Sequence, residues 1–368
     1  MQFFAAGRPK TQFLKQMADG LKSTFKEQEH QSISEPTPKT DLVLNFCHAD
    51  DLHPFRRNLK SSFVASMIEV DSIRESANPE NILNQVYPYV IRTLSDLAVI
   101  VSSDAQSRKV NTFIVTLERG LYQIKKSPLT HQYYQQLYDY IIPLASATSV
   151  TDNIFIPDLP EHLRCGCEAV EQIRKASRKF AEESMLPEPL PLEQFLSRDD
   201  RKHLEQLTGR SGISYGNVSA RHNCTEKFWI SASGVDKTNL TTIGRDILLV
   251  NGYDPEKNAM VISTLPDVQP QPASVDAIDH WFIYNENPSV RAILHLHAWM
   301  EDIPVTDMNY PCGTYELGRA AADKPKTLPE PEQAVIGLRN HGLTATGKSV
   351  PEIFARIEDN LDMRVPMM

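Results

Sequence analysis

Two histidines one residue apart carry the first chemical signal in this chain of 368 residues. They are His295 and His297, in the apolar run Ala292-Ile293-Leu294-His295-Leu296-His297-Ala298-Trp299. Side chains of a β-strand alternate faces, so a strand here projects both imidazoles to one side, with Cβ atoms roughly 6.6 Å apart. Both rings can then turn a nitrogen onto one ion at roughly 2.0–2.1 Å. Ile293, Leu294, Leu296 and Ala298 suit a buried strand. Two core histidines, each satisfied by a backbone carbonyl, would show the same pattern, so the octapeptide alone leaves both readings open.

The flanking sequence adds context. Upstream lie Gly212-Ile213-Ser214-Tyr215-Gly216-Asn217-Val218-Ser219-Ala220-Arg221, Phe228-Trp229-Ile230-Ser231-Ala232-Ser233-Gly234-Val235-Asp236, Asp246-Ile247-Leu248-Leu249-Val250-Asn251 and Ala273-Ser274-Val275-Asp276. Downstream lies Val335-Ile336-Gly337-Leu338-Arg339-Asn340-His341-Gly342. In this order the segments resemble the class II aldolase/adducin family of zinc-dependent aldolases, epimerases and dehydratases of small sugar phosphates. The resemblance covers roughly residues 190–360 and implies an α/β/α domain there.

Position by position, the resemblance implies that His295, His297 and His341 hold zinc or another divalent ion such as manganese. Three protein ligands with one open position is the usual composition of a catalytic rather than a structural site. Asp276 stands where the family has an acid/base glutamate. A carboxylate beside a divalent cation can move a hydroxyl proton. Asp is shorter than Glu by one methylene, and a misplacement of about 1 Å can cost 10²-fold in rate. A surface aspartate complementing the dipole of the helix that starts there is the alternative. Gly216, Asn217, Ser233, Gly234 and Ser274 match positions that contact the substrate phosphate. Backbone N–H groups with Asn and Ser donors can surround a phosphate without a lysine. Turn chemistry would also account for the glycine pairs.

The pattern departs from the family in places. Val275 replaces a second serine, and Ile303-Pro304-Val305 follows His297 almost at once, where relatives have a longer helical segment. Two functions are therefore expected in competition. One is a metal-dependent lyase or isomerase acting on a small sugar phosphate or polyhydroxy carbonyl compound. The other is a non-catalytic, adducin-like scaffold with a degenerate site. The family also implies a homo-oligomer. Gly342-Leu343-Thr344-Ala345-Thr346-Gly347-Lys348-Ser349 fits a phosphate-binding GxxxxGKS loop by letter, but Leu343 to Thr346 reads as continuing strand, and the later strands that would bind magnesium have no room.

The elements that must position these residues belong to a two-part α/β chain. Residues 1–39 are expected to be a helix (8–28, with Phe13, Met17, Leu21 and Phe25 at steps of four) and a linker. Residues 40–165 read as a small layer domain. In it, strand-like runs at 41–47, 62–70, 97–101, 112–117 and 153–156 alternate with helices at 79–94 and 130–144, which points to a parallel sheet. Loops after such strands carry ligands at their carboxyl ends, where His48-Ala49-Asp50-Asp51 falls. Gly120 is the sole glycine between Gly20 and Gly166, so a glycine-rich dinucleotide fingerprint is not expected. Residues 166–191 are a charged helix and a proline-spaced linker, and 192–368 form the second domain.

Composition sets outer bounds. A 41% hydrophobic, 23% charged chain with net charge −9 is an ordinary globular composition, and it argues against a nucleic-acid partner, which needs a basic face. No apolar run reaches the length of a membrane span, and residues 1–8 are too short for a signal-peptide core. Five cysteines without a CxxC spacing suggest a reducing, cytoplasmic setting.

Overall fold

The computed structural model describes residues 1–366 except 58–61, 75, 77, 105–108, 184, 187–191, 209–215 and 224. Two compact units emerge, Met1–Ala147 with Pro191–Gly209 and Met367–Met368, and Thr148–Leu190 with Arg210–Pro366. Among the described residues, no helix is long and apolar enough to cross a membrane.

The first unit is built on β1 (Gln2–Gly7), α1 (Gln12–Glu27), β2 (Gln31–Ile33), β3 (Leu42–His48), β4 (Phe63–Glu69), α2 (Pro79–Arg92), β5 (Leu97–Asp104), β6 (Lys109–Thr116), β7 (Leu121–Ser127) and α3 (His131–Ala145). Its sheet runs β2-β1-β3-β4-β5-β6-β7. The expected parallel sheet is present from β2 to β5, each pair in parallel register. Runs such as Leu42–Phe46 and Val64–Ile68, apolar but for Asn45 and Ser66 and buried throughout, are what a strand covered on both faces requires. The α1 helix starts at an N-cap, Thr11, whose hydroxyl accepts the Leu14 N–H, and buries Leu14, Met17, Leu21 and Phe25.

Three features of this unit differ from the sequence expectation. β1 and β2 both fall within residues 1–39, where only a helix and a linker were expected. β6 runs antiparallel to β5, and β7 antiparallel to β6; the short connection Leu117–Gly120 can only reverse the chain, whereas a parallel pair needs a long crossover. The expected strand at 153–156 leaves this sheet altogether. It is β8 (Asp152–Ile156), and it pairs in parallel with a strand of the second unit.

The second unit continues with α4 (Glu168–Glu182). Next in the chain is α5 (Arg198–Thr208), a helix of the first unit, followed by β9 (Asn217–Arg221), β10 (Phe228–Ser231), β11 (Ile247–Asp254), β12 (Ala259–Ser263), α6 (Ala277–Glu286), β13 (Ala292–Leu296), α7 (Tyr315–Asp323), β14 (Val335–Leu338), β15 (Gly342–Gly347) and α8 (Val350–Ile357). The sheet order is β14-β15-β13-β9-β10-β11-β12-β8, antiparallel except at the β8 edge. Two apolar clusters cover its opposite faces, one with Val170, Ile173 and Phe180 of α4 and Ile353 of α8, the other with Ile278, Phe282 and Ile283 of α6. Helices on both faces give the expected α/β/α layering. The GxxxxGKS-like stretch is strand for its first six residues, and Ser349 caps α8 by accepting the Glu352 N–H.

Candidate metal centre

Three histidines meet where two antiparallel elements end side by side. His295 is on β13, and His297 lies just past its last residue. His341 sits in the three-residue turn between β14 and β15 and donates its backbone N–H to Leu338. The turn can lie against the end of β13 because of Gly342. Its φ is +156°, and a Cβ there would stand 2.2 Å from the Leu296 carbonyl oxygen. Ring centroids are 5.2 Å apart for His295–His297, 4.8 Å for His295–His341 and 4.7 Å for His297–His341. One nitrogen from each ring lies within 4.8 Å of the other two.

The protonation pattern suits a cation. His295 Nδ1 is 3.0 Å from the Leu343 carbonyl oxygen, so Nδ1 carries the proton and donates it, leaving Nε2 with a lone pair. That Nε2 is buried and has no hydrogen-bond partner. An orphaned acceptor in a buried site is costly unless something occupies it, and a carbonyl-oriented histidine is the usual outer-shell arrangement of a metal ligand. Burial also favours the neutral form of His295 and His341. It pushes the His341 imidazolium down to about 4, helped by nearby His295, and lowers His295 as well. Neutral imidazoles bind divalent ions without first losing a proton. The residues present fit such an ion.

Asp276 borders this cluster. The alternative of a surface aspartate is corrected by the structure: Asp276 is 6% exposed and makes no side-chain capping bond to α6. Asn217, paired across from His295 in the β9–β13 ladder, donates from Nδ2 to Asp276 Oδ2 at 2.6 Å, while Oδ1 has no partner. Burial pushes the Asp276 carboxyl up, but Coulombic attraction to His295, His341 and His280 in their protonated forms, and to Lys237, outweighs it and holds the group below the usual carboxylate range.

The other expected residues fall in two groups. Gly216 (φ +68°) lies against the His295 backbone, where a Cβ would approach its carbonyl oxygen to 3.0 Å, so Gly216, Asn217, Asp276 and His295 are adjacent. Ser233, Gly234 and Ser274 form a second group. Ala232 bridges Ala273, and the Ser233 N–H donates to the Pro272 carbonyl at 2.8 Å. Gly212 to Tyr215 of the same sequence motif lie outside the described residues. The short connection after His297 is held by Gly337, which donates to Pro304 and accepts from Thr306, and by Trp299 paired with Asp362.

Sequence reasoning missed four neighbours. Lys237, 3% exposed, donates to Ser231 Oγ at 3.2 Å and to the Ala232 carbonyl. Asp279 is buried with both carboxyl oxygens unpartnered, and burial, then Asp276, raises it well above the usual range. His280 Nδ1 is 2.7 Å from Ser219 Oγ, and burial holds its imidazolium at about 3. The Cys312 thiol lies 3.4 Å from His341 Nε2. Only His280 and Asp279 carried a signal, as ionisable residues within the apolar first two turns of α6.

Residues 206–300 match the family model described as Class II Aldolase and Adducin N-terminal domain. The chain carries a class II aldolase segment. That segment spans every expected site residue except His341, which the β14–β15 turn delivers from outside it. No curated protein matched the chain. Among solved structures it is similar to an L-fuculose 1-phosphate aldolase at 16% identity, covering 53% of this chain and 82% of that one with a TM-score of 0.36. It is also similar to YgbL from Klebsiella pneumoniae (16% identity, 51% and 83% covered, TM-score 0.34) and from Escherichia coli (15% identity, 51% and 83%, TM-score 0.34).

Proposed function

We propose that the second unit is a divalent-metal-dependent lyase or isomerase of the class II aldolase type, acting on a small sugar phosphate or polyhydroxy carbonyl compound. The observation that carries this reading is the buried, unpartnered Nε2 of His295 within a cluster of three imidazoles. His295, His297 and His341 would hold zinc or manganese. When bound, the ion supplies positive charge to a substrate carbonyl oxygen, which eases proton loss at the neighbouring carbon. The Asp276 Oδ1, left open while Asn217 fixes Oδ2, takes or returns that proton. Ser233, Gly234, Ser274, Gly216 and Asn217 surround the phosphate with hydroxyl, amide and backbone donors. The same reading carries the expectations of a homo-oligomer and a cytoplasmic enzyme, the first of which light scattering checks. No observation favours the scaffold alternative.

A screen of sugar phosphates against purified protein should find turnover, and Asp276→Asn should lower kcat by about 10²–10⁴ while keeping its metal. Full activity in Asp276→Asn would remove the aspartate from the mechanism.

A further inference from the structure

The first unit holds a cleft of about 600 Å³ that the aldolase reading leaves unused. Its place follows from topology. The chain leaves β1 through α1 to β2 on one side, then crosses to β3 on the other side of β1. At such a reversal the loops leaving neighbouring parallel strands part, and a crevice opens at their carboxyl ends. The cleft lies there. Gly7, Arg8 and Lys10 line it from the end of β1, and Asn45, Asp51 and His53 from β3 and its following segment. Its volume is that of an ordinary small-molecule site.

The walls are built rather than incidental. Asn45, buried, donates from Nδ2 to the His53 carbonyl at 2.9 Å and to Ser66 Oγ at 3.1 Å, which ties the segment after β3 to the sheet. Phe55 packs on Phe4 with ring centroids 6.1 Å apart. Gly7, at φ +82°, would place a Cβ 2.2 Å from the Phe46 carbonyl oxygen, so glycine lets the turn out of β1 lie close against β3.

The charge balance points to an anion. Lys10 and His53 both pair with Asp51, and Thr11 engages Glu69. Arg8 is exposed and makes no ion pair among the described residues. One guanidinium is therefore left over, a fork suited to phosphate oxygens, directly before the first turn of α1 with its outward N–H groups.

We propose that this cleft binds a small phosphate ester. Arg8 and Lys10 hold the phosphate at the turn between β1 and α1, and the remainder of the molecule lies along Pro54 and Phe55. The test is calorimetric titration of the full-length, metal-free protein with ribose 5-phosphate, AMP, ribose and inorganic phosphate. Wild type is compared with an Arg8→Ala/Lys10→Ala variant and with Ser274→Ala, which reports on the second unit. Both substituted side chains of the double variant are exposed, and circular dichroism confirms its fold. At least one of the two esters should bind wild type and Ser274→Ala equally, bind the double variant about tenfold or more weakly, and bind more tightly than ribose or phosphate alone. Binding unchanged in the double variant, binding lost in Ser274→Ala alone, inorganic phosphate as tight as either ester, or no binding of either ester by wild type would each overturn the proposal.

Discussion

The two units treat the polar groups at their strand ends in opposite ways. In the first unit the charged side chains beyond the strands are mostly solvated and find one another, as Lys10 and His53 do on Asp51 and Arg56 does on Asp200 at 2.9 Å. Such exposed pairs contribute about 0–1 kcal/mol. In the second unit His295, Asp276, Asp279, His280 and Asn217 are buried, and each keeps at least one polar atom without a partner. An arrangement like that costs on the order of 1–3 kcal/mol per group. A fold keeps such a cost where the groups serve a ligand or a proton, which is why the histidine cluster, and not the more crowded charge of the first unit, carries the proposed chemistry.

That contrast can be broken at the glycine that brings the cluster together. Gly342→Ala puts a methyl group into the Leu296 carbonyl at a φ disfavoured for alanine, so it should destabilise the second unit by on the order of 3 kcal/mol and weaken metal binding with it. Thermal unfolding and metal content measured on the same sample would show this, and an unchanged melting temperature would mean that the turn is not held as described.

A smaller effect concerns pH. The imidazolium of His341 is held down to about 4, against 6.5 in an unfolded chain. Between these values the unfolded state binds the proton and the folded state does not, so stability is full above pH 6.5 and is lost as pH falls toward 4. In the metal-free protein this should amount to roughly 1–3 kcal/mol. His341→Gln should flatten that part of the stability–pH curve, whereas a curve of unchanged slope would move the acid sensitivity elsewhere.

How much the sequence reveals differs between the two units for physical reasons. The x-H-x-H run, the His-Gly of the β14–β15 turn and the Ser-x-Asp before α6 are local patterns, readable in order, and the fold brings them to one place. Lys237 and Cys312 were not readable, since nothing in a turn such as Asp236-Lys237 reports that distant strands will bury it. The surface-cap alternative for Asp276 stayed open in the sequence because a cap position gives no sign of what covers it. In the first unit, buried apolar runs announced β3, β4 and β5, but such a run is the same in parallel and antiparallel pairing, so β6 was given the wrong direction. β8 was assigned to the wrong sheet because its partner, β12, lies about a hundred residues onward.

The central claim is that His295, His297 and His341 together hold one ion, and metal content tests it most directly. Purified wild type and His297→Ala, each reconstituted with zinc or manganese and desalted, would be compared by mass spectrometry. About one ion per chain in wild type, lost in the variant, is the predicted result for a three-ligand site. No ion in wild type, or an equal content in both, would contradict it.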